Sequence, residues 1–344
     1  MSPEQPFLCI RCKRDCDLRY EYALELESGT YAIQWYRCPS CRGEYLHSPE
    51  LLKGEEAPLE EGAGVGPVRR VALCHVTTVR DSEDLGGGTL APLLGAALAE
   101  DFVDAALLPD YGVEGAMGII SDPEEATRLH RTWSSRARSF AVNAGLPANF
   151  DFLLNLEKFA RADRGEHPRI AVAGRPCHVY AGRHANFDKF APGYTVDLSI
   201  GLFCYGNVSP AGSPALRFEK VTGLTPQEIR GMTAVGNVVR VEGADHHVVE
   251  VPLEEFSSFL HRSCLKCVDF TVPWADLSLG ESPQVEGFDV VLTRSPTGDR
   301  LFEAALRTGR LRAWSPPWMA EGGDSLRILN DLTAVKRELT QIVR

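Results

Sequence analysis

Apolar and polar residues alternate in LRYEYALELESGTYAIQWYRC on either side of Ser28-Gly29, the period of two that predicts a β-hairpin. Residues 48–67 (SPELLKGEEAPLEEGAGVGP) lose that period and are acidic and rich in Gly and Pro, which suits a linker. Val71–Val79 reads as an apolar strand, followed by a glycine-rich turn and the helical run LAPLLGAALAEDFVDAALL. Asp122–Val142 and Phe150–Ala162 read as helices with charged, solvated faces. From Pro168 the pattern shortens: PRIAVAGRPCHVYAGRHANF is a strand, a Gly-Arg-Pro-Cys turn and a helix, and YTVDLSIGLFCYGNVSP is a strand that gives out at Cys204. Further on, Val221–Arg230 predicts a helix and Gly236–Val251 a hairpin turning at Gly243-Ala-Asp-His. Pro252–His261 predicts a short helix, Phe288–Arg294 a strand, Gly298–Arg307 a helix and Ser325–Val343 an amphipathic helix. Strands interleaved with helices predict an α/β fold, with mixed sheets and flanking helices.

Composition narrows the function. A net charge of −11 and a pI near 5.4 argue against a nucleic-acid footprint. No apolar run approaches the roughly 18–20 residues needed to span a bilayer. The start, MSPEQPFLCIRCKRDC, lacks the hydrophobic core of a signal peptide, so a cytoplasmic protein is expected. Ten cysteines in such a chain point to metal or cluster ligation, not to disulfides.

The cysteines fall into two sets. Cys9-Ile-Arg-Cys12 and Cys38-Pro-Ser-Cys41, 25 residues apart on the predicted hairpin, have the layout of a zinc ribbon, in which four thiolates close a tetrahedral site. Zinc is the expected metal, although a rubredoxin-type iron site has similar spacing. Cys16 is a spare sulfur beside them. A module at 1–47 therefore precedes the α/β body. The second set is Cys264-Leu-Lys-Cys267 with Cys177 and Cys204, each of the latter placed where an apolar strand ends, the position at which parallel sheets collect their chemistry. Together they number four, the ligand count of a [4Fe–4S] cluster. Gly86-Gly87-Gly88-Thr89 between strand and helix makes a candidate anion site, because free N–H groups and the helix dipole point outward there. Gly62-Ala-Gly64-Val-Gly66 precedes a strand instead of following one and fails the dinucleotide fingerprint. His246 and His247 fall at a hairpin turn and read as exposed.

Gly-Gly-Gly-Thr-Leu-x-x-Leu-Leu (86–94), Ala-Gly-Arg-Pro-Cys-His (173–178), Gly-Leu-Phe-Cys (201–204) and Cys-Leu-Lys-Cys-Val-Asp-Phe…Ala-Asp-Leu-Ser-Leu-Gly (264–280) occur in that order. This series resembles the coenzyme F420 hydrogenase/dehydrogenase beta-subunit family, from about Val68 to about Leu311. The ribbon departs from it, since members more often carry a ferredoxin-like extension or none. The resemblance implies an oxidoreductase subunit that binds FAD and a [4Fe–4S] cluster. Such a subunit passes electrons between a soluble hydride carrier, coenzyme F420 or in relatives another donor, and a metalloenzyme partner such as a hydrogenase or formate dehydrogenase. By motif, Cys177, Cys204, Cys264 and Cys267 match the cluster ligands. Arg80, Gly86, Gly87, Gly88 and Thr89, with Gly174 and Arg175, match regions that hold the flavin. Asp269 and Asp276 are candidates for positioning flavin or substrate, or for capping turns. The implied division is a ribbon at 1–47, a linker at 48–67, a first part of the flavin-binding domain at 68–165, a flavin and iron–sulfur domain at 166–315 and a helical tail at 316–344. The competing readings are the same module fed by NAD(P)H or ferredoxin, and a cofactor-less zinc-ribbon scaffold. The presence of all four candidate cluster cysteines argues against the scaffold.

Overall fold

The computed structural model describes residues 17–26, 29–37, 39, 44–53, 65–66, 68–76, 88–109, 117–126, 140–142, 168–185, 195–208, 212–225, 228–235, 237–243, 247–282, 288–309, 311–314, 333 and 336–337. Contacts divide the chain into two compact units, Met1–Pro58 and Leu59–Arg344.

In the first unit β1 (Asp17–Leu26) and β2 (Gly29–Arg37) form an antiparallel hairpin, the arrangement that the alternation predicts. β3 (Glu44–Lys53) adds a third strand in the order β1-β2-β3. The expected linker at 48–67 is therefore too long at its N-terminal end, because residues 48–53 are strand. In sequence, Pro49 argues for a linker. It falls where the β2–β3 register shifts between Ala32 and Gln34, on an edge strand, where a missing N–H costs no ladder bond. Cys9, Cys12, Cys16, Cys38 and Cys41, and with them the ribbon site, lie outside the described residues.

The described part of the second unit opens with Val65, fully buried, so the linker is also too long at its other end. β4 (Arg70–Val76) leads to α1 (Leu90–Ala99), β5 (Ala105–Pro109), β6 (Met117–Ile120) and β7 (Phe140–Val142). β8 (Arg169–Gly174), α2 (Pro176–Ala185), β9 (Thr195–Leu202), β10 (Gly206–Val208) and α3 (Gly212–Thr222) follow. Next come β11 (Ile229–Val235), β12 (Val238–Gly243), β13 (Val248–Pro252) and α4 (Leu253–Ser257). β14 (Leu277–Glu281), β15 (Asp289–Thr293), α5 (Pro296–Arg307) and β16 (Leu311–Trp314) complete the described elements.

Eight described strands form one mixed sheet in the order β16-β4-β15-β14-β9-β8-β5-β6. Its centre, β14-β9-β8-β5, is parallel, and antiparallel strands extend both sides. Alternate residues feed two cores. Ala72, Cys74 and Val291 pack with Leu93, Leu94, Leu301 and Phe302 of α1 and α5. Leu73, Val290 and Leu292 pack with Phe218 of α3, Phe256 of α4 and the sheet β11-β12-β13. This division of neighbours between cores is the period of two of a sheet buried on both faces. Among the described residues no helix is long and apolar enough to cross a membrane.

Three sequence expectations change here. The run expected to be one helix over 90–108 is α1 followed by β5. Arg169 ties the intervening turn, donating to both carboxylate oxygens of Asp104 and to the side chain and carbonyl of Asp101, whose φ is 60°. A buried parallel strand is continuously apolar, so periodicity cannot separate it from a buried helix. Phe140–Val142, expected at the end of a helix, is a strand paired with β10. The helix expected at Val221–Arg230 ends instead at Thr222, with Gly223 at φ 69°, and Ile229 already begins β11. Thr225 and Glu228 do form a capping-box bond, 2.7 Å, which in sequence looks like a helix start.

Candidate functional site

The parallel centre of the sheet brings Cys177 and Cys204 out side by side. Gly174 of β8 pairs with Gly201 of β9 on the last rung of that ladder, and each cysteine lies three residues beyond its glycine. Cys177 is the second residue of α2, where the helix dipole favours a thiolate. Cys204 sits after β9, its N–H bonded to Phe270 O at 3.0 Å. That bond clamps it to the segment following Cys264-Leu-Lys-Cys267, a single 3-10 turn. The turn is pinned in its own right, because Asn207 N–H donates to Cys264 Sγ at 3.4 Å and His261 N–H to Asn207 O at 2.8 Å. A Cβ added at Gly206 would lie 3.0 and 3.1 Å from the Leu260 methyls, so the backbone beyond Cys204 packs closely on the segment that leads into the cysteine turn.

The electrostatics show the four thiols sharing one environment. Burial, then the Cys204 thiol, pushes Cys177 up to about 12, with Cys267 and Cys264 adding and Arg175 opposing. Burial raises Cys204 as well, while Arg175 and Lys336 pull it back and Cys264 and Asp269 push it up. Cys267 is raised by burial and eased by Lys336. All four are free of disulfides. Among the described residues no three His, Cys, Asp or Glu side chains stand close enough to share one metal ion. A cubane requires something else, since it takes one thiolate at each of four separate corners. Four thiols from three segments, Cys204 buried and the other three partly so, near two cations and a helix N-terminus, suit that demand.

Asp269 builds the turn behind them. Its Oδ1 accepts from Val272 N–H at 3.0 Å and holds Val272 at φ 55°, a conformation costly for a β-branched residue. A Cβ on Gly201 would lie only 2.4 Å from Val272 Cβ, so strand β9 carries glycine where that turn lands. Burial raises the Asp269 carboxyl to about 6. Behind it Arg294, fully buried, donates to Ser278 Oγ (2.7 Å), Val65 O (2.9 Å) and Thr271 O (3.0 Å). Burial lowers the Arg294 guanidinium to about 9, and Asp269 opposes that shift.

The flavin candidates divide. Arg80, Gly86 and Gly87 lie outside the described residues. Thr89 N–H and Oγ1 both donate to the Asp289 carboxylate, at 2.9 and 2.8 Å, so this helix N-terminus already faces an anion of the chain itself. Gly174 is required locally: an added Cβ would meet His178 Cβ and Nδ1 at 2.8 Å. Arg175 N–H donates to His178 Nδ1 at 3.3 Å, and burial lowers that imidazole to about 3, so the ring is neutral. Asp276 is engaged within the fold. Its Oδ2 accepts from Ser199 N (2.8 Å), Ser199 Oγ (2.7 Å) and Arg183 (3.2 Å), and its Oδ1 from Ser295 Oγ (2.8 Å). His247, at the hairpin turn, is exposed.

One residue of this site carries no sequence signal. Lys336 is 1% exposed, and its ammonium donates to Tyr205 O at 2.5 Å and Cys264 O at 3.3 Å. Its position within the amphipathic Ser325–Val343 stretch says helix, but nothing in that pattern says where the helix lands.

The family model for the C-terminal region of the coenzyme F420 hydrogenase/dehydrogenase beta subunit matches residues 167–317. Among curated proteins, the coenzyme F420 hydrogenase subunit beta of Methanothermobacter thermautotrophicus is 24% identical over 256 residues, covering 73% of this chain and 85% of that one. An uncharacterised protein of Methanocaldococcus jannaschii is 26% identical over 145 residues, and the chain spans 40% of its length. A subunit of the F420H2 dehydrogenase of Methanosarcina mazei is 25% identical over 140 residues, or 39% of its length. A chain of the F420-reducing [NiFe] hydrogenase complex from Methanosarcina barkeri superposes with a TM-score of 0.62 at 20% identity, covering 81% of this chain and 92% of that one; it has the same fold. Residues 167–317, which hold all four clustered cysteines, are thus similar to the C-terminal region of coenzyme F420 hydrogenase/dehydrogenase beta subunits.

Proposed function

We propose that the chain is an electron-transfer subunit of an oxidoreductase complex, passing electrons between coenzyme F420 and a hydrogenase- or dehydrogenase-type partner through FAD and a [4Fe–4S] cluster. The observation that carries this reading is the gathering of Cys177, Cys204, Cys264 and Cys267 from three separate segments. A flavin exchanges hydride with a soluble carrier and electrons singly with a cluster, which is the chemistry these groups would supply. The chain supplies orientation and a water-poor, electropositive surrounding. Cys177, Cys204, Cys264 and Cys267 hold the cluster. By the motif resemblance, Arg80, Gly86, Gly87, Gly88, Thr89, Gly174 and Arg175 are the residues that would hold the flavin. Asp269 and Asp276 act through the turns they fix. Cys9, Cys12, Cys38 and Cys41 in the N-terminal unit would hold a zinc ion. The names of the relatives, which include beta subunits of coenzyme F420 hydrogenases and part of an F420H2 dehydrogenase, support the donor and partner classes.

The test is Cys264→Ser in anaerobically purified protein. Iron and acid-labile sulfide should fall severalfold while the bound flavin stays. Iron and sulfide at the wild-type level would overturn the assignment.

A further inference from the structure

Lys336 lies beyond the matched region 167–317, in the C-terminal segment, yet it reaches the backbone of the cysteine site. Thr333, Lys336 and Arg337 are helical, and Thr333 and Lys336, one turn apart, are both buried. The ammonium bridges Tyr205 O, next to Cys204, and the carbonyl of Cys264 itself. One cation thus bonds to the backbone of two candidate ligand segments, and its charge is felt at Cys204, Cys267 and Asp269. Burying an ammonium is costly unless negative charge compensates it. The two carbonyls are neutral, so Asp269 and the thiol sulfurs are the groups here that can offset it.

We propose that Lys336 is a positioning residue that sets the reduction potential of the cluster, by holding a buried positive charge between the Cys204 and Cys264 segments. This rests on the cluster assignment above. An electron added at the four sulfurs' site adds one unit of negative charge, and Lys336 stabilises that state more than the oxidised one. Its charge therefore raises the potential. Arg175, felt at Cys177 and Cys204, acts in the same sense, and Asp269, felt at Cys204, opposes both. A low local permittivity leaves such a charge poorly screened.

The experiment is a dithionite titration followed by electron paramagnetic resonance on the anaerobically reconstituted chain, comparing wild type, Lys336→Met and Lys336→Arg. With iron and sulfide unchanged, Lys336→Met should shift the reduced-to-oxidised ratio at fixed potential at least tenfold towards oxidised. For one electron that is a midpoint lower by about 59 mV. Lys336→Arg should stay within a small fraction of that shift, because it keeps the charge. A Met variant that holds its cluster at the wild-type midpoint overturns the proposal. If the Met variant fails to load iron, Lys336→Gln, which retains a donor for one carbonyl, is titrated with the same expectation. Failure of that variant to load as well makes Lys336 an assembly requirement and overturns its role in tuning. A wild-type chain without an iron–sulfur signal would instead overturn the cluster assignment itself, a result readable before any variant is made.

Discussion

Asp276 ties four elements at one point. Its carboxylate accepts from Ser199 on β9, Arg183 on α2 and Ser295 before α5, and its carbonyl, just before β14, accepts from Arg294 and Ser295 N–H groups. With Arg183 and Asp276 side chains only 15% and 12% exposed, removing the carboxylate leaves a guanidinium without its counter-charge and the Ser199 and Ser295 hydroxyls without their acceptor in a dry place. Asp276→Ala should therefore cost about 3 kcal/mol, the scale of breaking a buried pair from one side. Urea unfolding would read that loss, and a change below about 0.5 kcal/mol would mean that water reaches the group. None of this network is visible in Ala-Asp-Leu-Ser-Leu-Gly, where spacing says only that an aspartate precedes an apolar run. Cys264 and Cys267 were legible because a local turn brings them together. Cys177 and Cys204 were legible only as strand ends, since their adjacency depends on β8 and β9 being neighbours in register. Lys336 was illegible, because its partner is 72 residues away in sequence.

At the scale of elements, what could be read followed what is local. The hairpin β1–β2, the strand–turn–helix of β8 and α2, and the β12–β13 hairpin all follow from alternation and turn residues. β5 did not, because its burial on both faces erases the period that identifies a strand. The start of α1 shows the same dependence on distant residues. The anion expected at Gly86–Thr89 from outside the chain is, at Thr89, the Asp289 carboxylate of β15. Burial raises that carboxyl above its usual 3.8, against the two bonds from Thr89. The folded chain thus keeps this proton to a higher pH than the unfolded chain, so over that window folding binds a proton. Stability contributed by the group is greatest on the acid side and falls as pH rises through the raised value. Asp289→Asn should flatten that fall, measured as urea midpoints at steps between about pH 4 and pH 8. A slope equal to wild type would place the pH dependence elsewhere.

For the whole molecule, the question is whether the two cysteine sets belong to one cooperative structure or two. Among the described residues, β1, β2 and β3 form one sheet within Met1–Pro58, and the strands of the eight-stranded sheet all come from Leu59–Arg344. Sheets that share no ladder share no backbone hydrogen bonds, so loss of one need not unzip the other. A ribbon site closed by four thiolates stabilises its own small fold, whose free energy is bound up with the metal. The cysteine site of the larger unit is held by β8, β9, α2 and the 264–267 turn, all belonging to the second unit. Cys38→Ser should therefore release one metal ion and leave the flavin and cluster absorption of the purified protein unchanged. Metal analysis and the visible spectrum of a single preparation read both quantities together. Release of the flavin along with the metal would show that the N-terminal unit completes the flavin site.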